Sequence, residues 1–281
     1  MYYALIIVST VLFSFGFFSN KGFQTHNGTG FNQSLKFALQ SSAVSFCIML
    51  VLSEFRLEFS WFSLAMAFLN AAVSVLSAYC ANAAFKTANL SIYSVFTMLG
   101  GMVLPSVYGI LFLNEAVTAG KLICCGLIVI ALLFGVEGRG VNPKAYKYYF
   151  ACFVLNGLYA VLSTIHQSQS RAIRGESFIA MSNLITVAFC LLFLLFADRK
   201  MLRLRLKDLQ YTAGGALSNG VGNLLLLIAL KHVDASVQYP LVTGGVIVFS
   251  AAVTKISEKK LSRNNMIAVI LAFLAAIFVV L

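Results

Sequence analysis

The side chains with chemistry to offer are mostly uncharged. Asn156, Tyr159, Ser163 and Gln167 recur at i, i+3, i+7 and i+11, a spacing that puts them on one helical face. Ser236, Tyr239, Thr243, Ser250 and Thr254 repeat the pattern later. Asn70, Ser74 and Ser77 form a third group, Ser218, Asn219 and Asn223 a fourth, and Tyr93, Ser94 and Thr97 a fifth. Each group interrupts a long apolar run. Hydroxyls and carboxamides in lipid are costly unless they meet a partner or water. Two readings fit. The groups form the hydrogen-bonding wall of a cavity for a small polar molecule, or they fasten helix to helix. The small Ser and Thr side chains favour the second. Asn156, Tyr159, Asn219 and Tyr239 are bulkier and divide evenly between the two.

The charged residues argue by position. The acids are Glu54, Glu58, Glu115, Glu137, Glu176, Asp198, Asp208, Asp234 and Glu258, and all fall in loops or at run ends. A proton-driven exporter of cations needs a carboxylate inside the membrane. Its absence from the run centres disfavours a cationic drug and favours a neutral or zwitterionic solute. Lys36 and Lys121 sit just inside runs, where their ammonium groups can reach the headgroups. His166 is expected as a polar end group of its run. There is no HExxH, GxSxG or paired intramembrane aspartate, so neither an enzyme nor a metal or cofactor is expected. The six cysteines, all inside apolar runs and without CxxC spacing, read as buried thiols.

The elements that must position these groups follow from composition. Of 281 residues, 60% are apolar and 10% charged, and the formal net charge is +11. Soluble domains carry about 25% charged residues, so the chain is read as embedded in a lipid bilayer and not as a nucleic-acid binder. Ten apolar runs lie at about 2–19, 31–53, 60–85, 91–113, 117–136, 147–168, 177–197, 208–230, 235–254 and 263–281. Each approaches the ~20 residues of a spanning helix. The expected fold is an all-α polytopic membrane protein. The longest polar stretches are 20–30, 137–147 and 197–208, too short for a soluble domain.

The runs divide into two halves of five. Ala84–Ser91 matches Ala229–Ser236 at an offset of 145, which also sets Gly100 on Gly245. Phe15-Gly16-Phe17 faces Asn156-Gly157-Leu158 at an offset of 141. The halves are 1–138 and 147–281, joined by a linker at 139–146 with Gly140 and Pro143. Five is odd, so the second half enters the membrane from the other side. The ten helices then form two inverted five-helix repeats, a plan common among secondary transporters.

This arrangement resembles the drug/metabolite transporter superfamily in its EamA-like branch. The resemblance covers nearly the whole chain and rests on the five-plus-five layout, the short loops, Gly16 with Lys21 and Lys36, and the turn Glu115-Ala116-Val117-Thr118. Glu258 opens a looser match, one residue longer, in the second half. The resemblance implies a carrier of small metabolites with a cavity formed by runs 1, 3, 4, 6, 8 and 9. The residues expected to line it are Phe18, Ser74, Tyr93, Thr97, Asn156, Tyr159, Ser163, Ser218, Asn219, Tyr239 and Thr243. The expected partners are a small-molecule substrate, amino acid-like or nucleoside-like, and the lipid of a plasma or inner membrane, with the chain a monomer or weak homodimer. A drug or cation antiporter, a channel and an assembly subunit are the alternatives.

Fifteen of the twenty Lys and Arg fall in the odd-numbered connections. The positive-inside rule places those in the cytoplasm and both termini outside. The resemblance implies both termini inside.

Overall fold

The apolar runs become helices because backbone groups in an apolar setting must pair within their own segment. The computed structural model describes residues 1–28, 30–85, 90–134, 146–203, 205–258 and 263–280, some of them, including 90–95, by their backbone alone. Among the described residues there is no strand. The helices are α1 (Tyr2–Asn27), α2 (Phe31–Leu52), α3 (Trp61–Phe85), α4 (Leu90–Phe112), α5 (Ala119–Phe134), α6 (Tyr146–Ser168), α7 (Gly175–Ala197), α8 (Leu206–Leu217), α9 (Asn223–Ala229), α10 (Ala235–Glu258) and α11 (Arg263–Val280). A π turn at Ser218–Gly222 joins α8 to α9 in one column, since Leu217, Ser218, Gly222 and Asn223 all keep right-handed helical dihedrals.

Six of these segments are long and apolar enough to cross a membrane: Tyr2–Asn27, Phe31–Leu52, Trp61–Cys80, Lys147–Ser168, Gly175–Ala197 and Lys207–Ala229. Apolar stretches at Phe96–Phe112, Ala119–Phe134, Ala235–Phe249 and Met266–Ala275 are shorter. Large apolar side chains face outward all round, among them Phe15, Phe68, Leu122, Phe150, Phe193 and Phe273. Soluble monomers rarely expose so much contiguous apolar surface. The protein is a membrane-embedded, all-helical chain.

Neighbour relations repeat. α1 packs on α8 and α10, and α6 packs on α3 and α4. α2 packs on α8, and α7 on α3. α2 and α7 pack on each other, as do α5 and α11. One apolar core joins Met49, Ala67, Cys152, Phe178 and Leu227; a second joins Met102, Cys124, Ile128 and Ala272. Where α4 meets α6, a Cβ on Gly100 would collide with the Phe153 carbonyl, and one on Gly157 would lie 2.6 Å from the Gly100 carbonyl oxygen. These glycines let the two backbones touch, the small-residue contact of membrane helices.

Two expectations change here. The polar stretch 20–30 is not a loop: α1 continues to Asn27, because Phe23 is wholly buried and Asn27 is bonded to Asp208. Cys47 is exposed, on an outward face, so the thiols are not uniformly buried. The 139–146 linker lies, up to 145, outside the described residues.

The helices alternate in direction, which gives two ends. The near end gathers Met1 and the connections at 53–60, 113–118, 169–174 and 230–234. There Tyr2 stacks on His232 at 4.0 Å, and Arg174 Nε lies 2.9 Å from Glu58 Oε1. The far end holds Asn27 and the starts of α2 and α8.

Candidate functional site

α1 carries two stripes. Val11, Phe15 and Phe18 point outward, while Phe13, Gly16, Phe17 and Asn20 face a cavity of about 420 Å³. The cavity lies among α1, α2, α3, α4, α6, α7, the α8–α9 column and α10; α5 and α11 contribute nothing to its described lining. Six asparagines, six serines, two threonines and two tyrosines line it. No Asp, Glu, Lys, Arg or His is among the described lining residues. Such a wall can offer and accept hydrogen bonds, but it supplies no fixed charge.

Ser74, Asn156, Tyr159, Ser163, Ser218, Asn219, Tyr239 and Thr243 all meet at this cavity. Several are also tied to neighbouring helices. Asn156 Nδ2 donates to the Thr97 carbonyl at 2.7 Å, and Tyr239 Oη donates to the Ala160 carbonyl at 3.1 Å and lies 3.3 Å from Thr164 Oγ1. The cavity and fastening roles therefore coexist in the same side chains. Ser163 Oγ donates back to the Tyr159 carbonyl, a local helix bond. The Asn219 side chain has no protein partner among the described residues.

Two expected residues do not line the cavity. Phe18, 49% exposed, is not among the lining residues, whereas its neighbour Phe17, 52% exposed, is. Thr97 is also outside the lining: its Oγ1 is buried without a hydrogen-bond partner, and its carbonyl accepts from Asn156. The Tyr93 side chain lies outside the described residues.

The structure adds α2 and α7, which the resemblance omitted. Phe37 and Ser42 come from α2, and Phe178, Ser182, Asn183 and Thr186 from α7. Asn183 Nδ2 donates to Ser45 Oγ at 2.8 Å where the two helices cross. The polar clusters Ser41-Ser42 with Ser45, and Ser182-Asn183 with Thr186, are the signal that could have found them. Asn70 is 1% exposed, lines the cavity, and its Oδ1 has no hydrogen-bond partner; Ser182 Oγ is likewise unpaired.

The π turn places Ser218 and Asn219, consecutive residues, both on the cavity. Ser9 Oγ on α1 donates to the Gly222 carbonyl at 2.8 Å, satisfying part of the disturbed ladder. π turns inside α-helices are frequent at functional sites.

Aromatic rings line the cavity toward each end, with polar clusters behind them. Toward the far end Phe37 packs on Phe23 at 5.2 Å. The neighbouring Lys36 Nζ lies 2.6 Å from Asp208 Oδ2, and Asn27 Nδ2 donates to Asp208 Oδ1 at 3.0 Å. Both charged side chains are shut off from solvent, at 6% and 1% exposure. Asp208 is thus a buried acid and Lys36 a buried base, where sequence position placed one at a run end and the other at the headgroups. The end of α1 and the start of α2 cover them. Lys121 is also mostly buried: it donates to Asp234 at 2.8 Å and to the Ala116 carbonyl at 2.9 Å, so it does not reach outward.

Toward the near end Phe178 stacks on His166 at 3.8 Å, and Phe62 covers the other ring face at 5.9 Å. His166 is wholly buried rather than an end group; its Nε2 lies 2.9 Å from Ser63 Oγ, and its Nδ1 3.3 Å from Gln167 Nε2. Above this layer Glu115 accepts the N–H groups of Ala235 and Ser236 at 2.8 and 2.9 Å and the Ser236 hydroxyl, capping α10.

No family model matches the chain, and no curated protein matches it. Solved structures do. One, described only as "Crystal structure of protein", superposes with a TM-score of 0.79 over 98% of this chain and 94% of its own, at 15% identity. At that identity the likeness is one of fold.

Proposed function

We propose that the chain is a secondary transporter that carries a small polar solute through alternating access around this central cavity. The observation that carries the proposal is the cavity itself. An uncharged, hydrogen-bonding, half-open chamber lined by membrane-embedded helices has the character of a solute site. No described lining residue is a carboxylate that could exchange a proton for a cationic drug.

The proposal includes ten spans in two inverted repeats, resembling the EamA-like drug/metabolite transporters, in a plasma or inner membrane. Helices α4 and α10 run 23 and 24 residues, enough at ~1.5 Å per residue to cross ~30 Å of hydrocarbon. The neighbour relations support the repeat: exchanging α1 with α6, α2 with α7, α3 with the α8–α9 column and α4 with α10 reproduces the main pairings. So do the matched glycines. Gly100 abuts Phe153 of α6, and Gly245, 145 residues on, abuts Thr10 of α1. α1 starts at the near end and α6 at the far end, which is the sense of an inversion.

Proteoliposomes loaded with a panel of labelled amino acids, nucleobases, nucleosides and sugars test the proposal. Saturable counterflow of at least one is expected, lost in Asn219→Ala at unchanged membrane expression. Unsaturable conductance would mean a channel, and wild-type flux in Asn219→Ala would remove the cavity assignment.

A further inference from the structure

Resting on the transport reading, we infer that the solute is an uncharged flat ring bearing an amide edge, of the nucleobase class, rather than a zwitterion. The first support is the missing charge. The described lining holds sixteen hydrogen-bonding side chains, counted as six Asn, six Ser, two Thr and two Tyr, and not one ionised group. An amino acid inside would leave a carboxylate and an ammonium without ionic partners, and an unpaired buried charge is far costlier than an unpaired dipole.

The second support is the kind of dipole. A carboxamide presents an acceptor and a donor side by side, matching the adjacent donor and acceptor of a lactam or amidine edge. Asparagine reads the edge of adenine in this bidentate way. Asn70 lines the cavity, and its buried Oδ1 has no hydrogen-bond partner. A buried acceptor with no partner is unfavourable, so a turn of the carboxamide toward a ligand N–H would complete it. Asn219 presents an amide with no protein partner from the π turn.

The third support is shape. Phe13, Phe17, Phe37, Tyr159, Phe178 and Tyr239 bring ring faces and edges to the same chamber. Aromatic walls hold flat rings by stacking, and saturated polyols gain little from them.

The experiment is ligand binding to the purified, detergent-solubilised full chain, with flux in proteoliposomes measured separately. Uracil and adenine should saturate binding. Asn70→Leu and Asn219→Leu should each weaken it about tenfold or more while the unfolding temperature stays within a few degrees. 1,3-Dimethyluracil, which keeps the ring and loses both N–H donors, should bind at least about tenfold more weakly than uracil. Equal or tighter binding of phenylalanine, a cationic amine or glucose overturns the inference, as does failure of both bases to bind. Should Asn70→Leu unfold the chain, Asn70→Asp supplies the second readout: a charge in the chamber should depress uracil binding, and unchanged binding counts against the site. The two proposals fail separately. Base binding without counterflow leaves the ligand class standing and removes transport. Counterflow of a zwitterion keeps transport and removes the ligand class.

Discussion

At the far end of the cavity a lysine and an aspartate lie 2.6 Å apart with almost no solvent contact, held in place by Asn27. At the near end the layer behind the cavity is neutral: His166 between two phenylalanine rings, with Ser63 on its Nε2. The positions correspond. Phe178 follows Phe37 by 141 residues, and Asp208 follows Ser63 by 145, the offsets of the internal repeat. The near end carries charge too, but each pair there keeps a solvent-exposed partner: Arg174–Glu58 is about half exposed, and the mostly buried Lys121 is paired with Asp234, whose side chain is 51% exposed. The ends therefore differ less in how many ions they hold than in where they hold them. Parting a buried pair strands two ions away from water and is steep. Parting an exposed pair returns each ion to solvent and costs little. A carrier with such ends would open more readily at the near one.

Stability measurements on the purified chain can break this contrast, and the largest effect is expected at the far end. Asp208→Ala leaves Lys36 buried and unpaired and should lower unfolding free energy by about 3–5 kcal/mol. Adding Lys36→Met should restore most of that loss, and no recovery in the double variant would mean the pair is not a coupled unit. At the near end, Glu115→Gln keeps the shape of the α10 cap but removes its charge. A loss of about 1–2 kcal/mol in chemical denaturation is expected, and a loss as large as that of Asp208→Ala would erase the distinction between the ends. His166→Phe preserves the stack and deletes the bond to Ser63, for about 1 kcal/mol; thermal unfolding of the pair His166→Phe and Ser63→Ala should show coupling of similar size. The smallest effect belongs to Arg174→Ala, below about 1 kcal/mol and fading further in high salt. A salt-insensitive loss there would indicate a tighter contact than the half-exposed geometry gives.

Much of this was legible from residue spacing alone. The i, i+3, i+7 pattern put Asn156, Tyr159 and Ser163 on one face, and all three reach the cavity. The apolar runs located the helices to within a few residues, apart from the far side of α1. What spacing could not reveal was which distant surface would cover a polar group. Residues 20–27 are polar enough to pass for a loop, yet they are helical because Asp208, 181 residues beyond Asn27, and Tyr211 supply their contacts. Asp208 looked like an end residue for the same reason: its burial comes from α1 and α2, not from its own helix. Phe18 and Phe17 are adjacent, chemically alike and about equally exposed, so residue type and spacing do not tell which of them lines the cavity. The roles of α2 and α7 were hidden because their inward serines and Asn183 are short clusters within apolar stretches.

The π turn at Ser218–Gly222 has a mechanical meaning. A helix with one residue too many in its ladder carries a slack rung. Deleting a single residue there would close the ladder to the α spacing while the turns on either side keep nearly the same phase, so Leu226 and Leu227 would stay on the cavity wall. The rung sits between two anchors: the α8 half is held through Asp208, and the α9 half is tied to α10 through the Gln238 bond to the Leu226 carbonyl.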